Sequence, residues 1–240
     1  MTNEHGTEVA TVRQSGDGSL AQLPGSDSLD RGDLVIPRLR LVQSQSMFSD
    51  EVGKLYNSLT GQASDEARCV ALKVGKARVR WPDEFVRDQQ PLCASNDAIT
   101  PRDDFAGVFS ERCATCAEAL WMDDQPPRCA LSYVYLLADR ETDLPVMLSA
   151  SRSSIKAAKQ ANTLVKAFGV RREIIVGTQE IRNDRGRFFA LTFRLGDPVA
   201  AEDAARYAAM SRALGGVVLS ADIGEDNGDS EAEDDEALFS

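Results

Sequence analysis

Ser151 to Leu195 reads SRSSIKAAKQANTLVKAFGVRREIIVGTQEIRNDRGRFFALTFRL, and the reading of the fold turns on it. Its first eighteen residues place Ile155, Ala158, Ala161, Val165 and Phe168 on one stripe at helical spacing. Serines before the stripe can cap its N-terminus, and Gly169 stands where a helix hands over to a left-handed residue. The expectation is a helix over 151–168. Residues 173–182 and 187–195 then read as two strands around Asn183-Asp184-Arg185-Gly186, a hairpin turn. On the second strand Phe189, Leu191 and Phe193 share one parity and are expected inside. Phe188 shares parity with Thr192 and Arg194 and is expected outside.

Working outward, residues 130–138 and 144–150 form a second predicted hairpin around a turn at 139–143. Residues 68–81 read as a long strand, with Gly75 a candidate bulge or bend. The run Leu34 to Val42 reads as the first strand, and 52–62 as a short strand or turn. Residues 200–214 form an Ala-rich helix with Glu202 and Asp203 in its first turn. Between Pro82 and Arg128 the pattern turns irregular and holds five of the nine prolines, as an insertion without a core would. The order is β-β-insertion-β-β-α-β-β-α-tail. A helix between the third and fourth main strands points to a mainly β protein with helices, an OB-fold-like five-stranded barrel. An SH3-like barrel or an open α+β sheet would give a similar string. The expected divisions are a disordered arm over 1–32, the barrel over 33–214 with 82–129 inserted, and a disordered tail over 215–240.

The net charge is −11, yet nine acids and no Lys or Arg fall between Asp222 and Ser240. The remaining 221 residues therefore carry only about −2, and the low isoelectric point hides their character. No apolar run approaches the ~18 residues of a membrane helix, and no leader is legible, so a cytoplasmic protein without membrane contact is expected. His5, the only histidine, lies in the N-terminal arm, outside any folded catalytic site. No phosphate-binding loop, dinucleotide fingerprint or nucleophile elbow occurs. The acid pairs Asp103-Asp104 and Asp123-Asp124 could hold Mg²⁺ for nuclease chemistry, but adjacent loop acids are more often solvated. The expectation is a protein that is not an enzyme.

Cys93, Cys113, Cys116 and Cys129 are spaced Cys-x19-Cys-x2-Cys-x12-Cys across the insertion. A Cys-x2-Cys knuckle brings two thiolates to one ion, and two more complete a tetrahedral structural Zn²⁺ site. Buried or free cysteines, or a redox pair at Cys113 and Cys116, are the competing readings. Cys69 lies in a predicted strand and reads as core, with a second reading as fourth ligand in place of Cys93.

Residues 152–194 hold ten Lys or Arg against three acids. Arg152, Lys156, Lys159 and Lys166 line one face of the predicted helix. Arg185 and Arg187 flank the hairpin turn, while Arg38, Arg40, Lys73, Arg78 and Arg80 are strand positions. Trp81, Tyr133, Tyr135 and Phe188 interleave with them. Cations with stacking aromatics are how OB-folds hold single strands. A basic helix face that is merely solvated is the competing reading.

With Leu34–Val42, helix 151–168, hairpin 173–195 and tail 222–240, the chain resembles bacteriophage single-stranded DNA-binding proteins. It also looks like a group of phage proteins with an Ile-Pro-Arg-Leu-like opening and a cysteine insertion beside a Trp. Here these are Ile36-Pro37-Arg38-Leu39 and Cys93…Cys113-Ala-Thr-Cys116…Trp121…Cys129. The resemblance implies a tail that competes with DNA and recruits replication or recombination proteins. That role would fall on the acids from Glu225 to Glu236, with Asp234, Asp235, Glu236, Leu238 and Phe239 meeting the partner. Phe239 is penultimate rather than terminal, and the simplest members lack the insertion. The expected function is a single-stranded DNA-binding protein of phage replication or recombination. The alternative is a zinc-containing regulator that binds RNA polymerase or another host protein.

Overall fold

The computed structural model describes residues 35–43, 51–84, 90–122, 125–183 and 186–222. The arm over 1–32, and the tail residues Asp234, Asp235, Glu236, Leu238 and Phe239, lie outside the described residues, as does Arg185.

Among the described residues nine strands form one sheet: β1 (Arg38–Leu41), β2 (Leu55–Asn57), β3 (Ala63–Ser64), β4 (Glu66–Arg80), β5 (Cys93–Ser95), β6 (Cys129–Asp139), β7 (Pro145–Ser151), β8 (Arg172–Asn183) and β9 (Gly186–Pro198). Their order is β3-β2-β1-β7-β6-β4-β8-β9, with β5 paired to β4. Among the described residues there are also two α-helices, α1 (Ile155–Phe168) and α2 (Ala201–Ala213). The protein is mainly β with few helices, as expected, and the sheet curls into an open half-barrel, compatible with a barrel-like fold, with nine strands where five were expected. Among the described residues only β1 and β7 pair in parallel.

Both predicted hairpins are present, β6 with β7 and β8 with β9. Strand β4 is the spine. It pairs with β6 along nearly its whole length, with β8 at its start and with β5 at its end. The bulge falls between Ala71 and Lys73, not at Gly75. Gly75 has another reason to be glycine: a Cβ there would stand 3.0 Å from the Leu219 side chain.

The curl is drawn in by contacts between its two ends. Gln43 offers its amide as a ladder rung to β9, donating to the Phe189 carbonyl at 2.8 Å and accepting from its N–H at 3.0 Å. Thr178 donates to the Gly53 carbonyl. Gly53 has φ +89°, and a Cβ would come within 2.5 Å of the Phe189 ring, so only glycine fits this turn.

Both sides of the sheet are buried. Leu39, Leu55, Cys69, Ala71, Tyr135, Leu137, Leu148, Val176 and Leu191 fill the inner side, where Ala158 and Ala161 seat α1 closely. Val70, Leu72, Ala77, Val79, Val134, Leu136 and Met147 fill the outer side beneath α2 and Tyr207. This is why the middle of β6, Val134 to Ala138, is continuously apolar instead of alternating. Phe189 and Phe193 face inward as expected, Phe193 stacking obliquely on Tyr135 with centroids 5.5 Å apart.

Helix α1 begins after a 3-10 turn at Arg152–Ser154 and ends at Gly169, φ +53°, as its sequence foretells. Ser154 does not cap it. Its Oγ instead accepts the Leu191 N–H at 2.9 Å and ties the helix entry to β9. Residues 215–222, placed by sequence at the start of the tail, form a strap across the outer face. Leu219 and Ala221 join the outer core there. No helix among the described residues is long and apolar enough to cross a membrane.

Candidate nucleic-acid interface

The fold divides the basic residues between two faces. Leu39 and Leu41 pack inside, so Arg38 and Arg40 on alternate positions of β1 point outward. There they hold the strap. Arg38 donates to the Ser220 carbonyl at 3.1 Å and to its Oγ at 2.8 Å, and Arg40 grips the Asp222 carboxylate with Nε at 2.6 Å and Nη2 at 3.0 Å. Lys73 donates to the carbonyls of Gly215 and Val217 at 2.7 and 2.8 Å. Trp81 packs against the outer core. These four expected nucleic-acid-binding residues are thus occupied by the protein's own chain on the outer side.

Past the bulge, β4 turns Lys76, Arg78 and Arg80 to the inner side. They pair across strands with Tyr133, Leu131 and Cys129 of β6, and directly opposed residues share a face. Tyr133 marks the edge of the inner core and is partly exposed, and Lys76 is exposed beside it. Tyr135, one rung further in, is 1% exposed, with its hydroxyl 2.9 Å from the Ala158 carbonyl and 2.7 Å from Asn162 Oδ1. Burial pushes its phenol pKa well up, with the Tyr133 phenol a lesser cause. Tyr135 is a core residue and not a stacking platform.

Arg80 is buried too, paired with Glu118 at 2.6 Å and Asp83 at 3.0 Å. The hairpin cations are also engaged. Arg182 and Arg187 share Glu180, Arg194 meets Glu66, and Arg171 caps α1 through the Ala167 and Phe168 carbonyls. Phe188 is half-buried. What remains is the row Arg152, Lys156, Lys159 and Lys166. All four are exposed, none has an ion-pair partner among the described residues, and α1 contains no acid. The turn at Arg152–Ser154 packs beside β6, and the residues just before it, Ala150 and Ser151, pair with Tyr133 and Ser132, Tyr133 in turn lying opposite Lys76.

Lys76, a basic strand position of the Lys73-to-Arg80 run, is set apart from its neighbours by its exposure. Sequence reasoning missed the strap. The triplet Val217-Val218-Leu219 just before the acidic run was the available signal.

At the opposite end of the half-barrel, a polar cavity of about 900 Å³ is lined by Leu39, Leu55, Asn57, Arg68, Arg140 and Glu173. Its charges satisfy one another. Glu173 is buried and accepts from Arg68 at 2.6 Å and Arg140 at 3.1 Å. Arg140 continues to the Tyr207 hydroxyl, which donates to Asp143 at 2.5 Å. The Tyr207 hydroxyl, then Arg206, hold the Asp143 carboxyl below its usual range. This network clamps α2 to the rim of the sheet.

The insertion folds against the end of β4. Cys113, Cys116 and Cys129 are buried and Cys93 is partly so. Burial pushes the Cys129 thiol up to about 11, with Cys93, Cys113 and Cys116 adding to the shift against Arg78. Cys69 is in the inner core, away from them. Asp97, with burial opposing, is held below its usual range by the Thr100 and Ile99 N–H groups and the hydroxyls of Ser95 and Thr100. Among the described residues no three His, Cys, Asp or Glu side chains are grouped in the arrangement of metal ligands.

Fold and site together define a mainly β half-barrel with a row of exposed cations at α1 and a strapped outer face. A model of the Pam3 phage gp34-like protein family matches residues 6–218, and the chain belongs to that family. The family's name marks it as a phage protein, and the match stops before the acidic run. No curated protein and no solved structure matches the chain.

Proposed function

We propose that this protein binds single-stranded DNA without catalysis, through the inner rim, in phage replication or recombination. The observation that carries this reading is the row Arg152, Lys156, Lys159 and Lys166, exposed and without acid partners among the described residues. Lys76 and Tyr133 extend the row across the sheet, while Arg78, also expected at the site, donates to the Cys129 carbonyl. Phosphates would follow the cations, and Tyr133 would offer a ring to a base, a stack worth ~1–3 kcal/mol. The half-barrel with α1 on its inner side is read as an OB-like platform. The acids beyond Asp222 compete with DNA for these cations. When DNA displaces them, Asp234, Asp235, Glu236, Leu238 and Phe239 are released to a replication or recombination protein.

Titrating labelled oligo-dT and a matched duplex at several salt concentrations tests this, with full-length protein and a 1–222 truncation. The expected results are preference for the single strand, a steep fall with salt, and tighter binding by 1–222. Replacing Lys156, Lys159 and Lys166 together by Ala should weaken binding and flatten the log–log salt slope by roughly 2, at ~0.7 for each single-strand phosphate no longer neutralised. No binding by the 1–222 protein at low salt would sink the proposal.

A further inference from the structure

We propose that Cys93, Cys113, Cys116 and Cys129 ligate one structural zinc ion that staples the insertion to the end of β4. The pairing of strands sets two of them on one face. Cys93 of β5 and Cys129 of β6 lie opposite Arg80 from its two sides, so both face the same way. Cys113 and Cys116 bracket a single 3-10 turn, the Cys116 N–H donating to the Cys113 carbonyl at 3.4 Å. Cys116, Ala119 and Cys129 pack as one small cluster.

The segment needs such a staple. Ile99, Val108, Phe109, Leu120, Trp121 and Met122 are all exposed, so its large apolar residues do not hold it together. Its only core of its own, among the described residues, is the cluster of two cysteines and an alanine. Metal binding can supply the missing folding free energy, and the ion itself draws the thiolates to a common point.

A second observation points to anionic sulfur at this place. Arg78 donates Nη1 to the Cys129 carbonyl at 3.0 Å, but its buried Nε has no acceptor among the described residues. A buried N–H without a partner costs ~1–3 kcal/mol, and a metal-bound thiolate beside it is an acceptor. Four thiolates on Zn²⁺ leave a charge of about −2, which Arg78 helps balance. Four sulfurs fill a tetrahedron and leave no open position, so the role is structural and not catalytic.

The test uses the full chain purified under reducing conditions without chelator. About one zinc per protein is expected, and exchange into Co²⁺ should give the red-region absorption of tetrahedral thiolate cobalt. Cys113→Ser should lose the metal and open residues 90–122 to protease, whereas Cys69→Ala should keep the full metal content. Should Cys113→Ser not fold, the cobalt spectrum of the unaltered protein still decides the ligand set. Less than half an equivalent of metal after incubation with zinc would overturn the proposal. So would a disulfide among the four cysteines in reduced preparations, or acid-labile sulfide marking an iron–sulfur cluster.

Discussion

Ending the chain after Leu214 is expected to lower its stability by at least about 4 kcal/mol, while ending it after Asp222 leaves stability unchanged. The shorter truncation strips the strap from the outer face. Burying Leu219 is worth roughly 2 kcal/mol, and Ala221 adds a fraction of that. Arg38, 4% exposed, loses both Ser220 acceptors, at ~1.5–3 kcal/mol per hydrogen bond to a charged group. Lys73 loses two carbonyls. The Arg40–Asp222 pair adds little, since both side chains are about a quarter exposed. Urea unfolding of the two truncations beside the full chain checks this, and equal midpoints would show that the strap only rests on the sheet. The consequence for function is direct. Binding measured on a truncation that removes the strap confounds lost competition with lost structure, so the cut belongs after Asp222.

Tyr135→Ala is expected to destabilise the protein by about 3–5 kcal/mol, the range for emptying a large aromatic site in a packed core. Tyr135→Phe should cost about 1–3 kcal/mol, because it leaves the buried Ala158 carbonyl and Asn162 short of a partner. Its neighbour two positions back should behave in the opposite way. Tyr133→Ala, at the rim, should change the unfolding midpoint little and weaken oligo-dT binding by ~1–3 kcal/mol. Thermal unfolding and oligo titration of the same variants separate the two. A stable Tyr135→Ala protein, or a Tyr133→Ala protein with undiminished binding, would contradict the division between core and rim.

The two tyrosines show how far sequence carries. Period-2 alternation placed Tyr133 and Tyr135 on one face, and they are on one face. It could not say that α1 ends its cover between them, because the reach of a helix across a sheet is a packing property. Helix α1 and the two hairpins were legible because their signals are local: a 3.6-residue stripe, a glycine at the helix end, a turn of Asn, Asp and Gly. The partnership of β1 with β7, Arg38 opposite Met147, was not legible, since parallel pairing leaves no mark on the intervening chain. Without that partnership, the curl and the docking of the strap could not be foreseen.

The cations make the same point. Sequence determined by itself that the acids beyond residue 221 mask a body near neutrality, and that Lys156, Lys159 and Lys166 share a helix face, whereas Arg152, expected on it too, stands in the 3-10 turn before α1 with φ +48°. Only the tertiary structure decided which cations remain available. It set Arg38, Arg40 and Lys73 to hold the strap, paired Arg80 with Glu118, and left the α1 row and Lys76 exposed. A charge belongs to its residue, but its freedom to meet a phosphate depends on the acids and carbonyls that folding brings within about 3 Å of it.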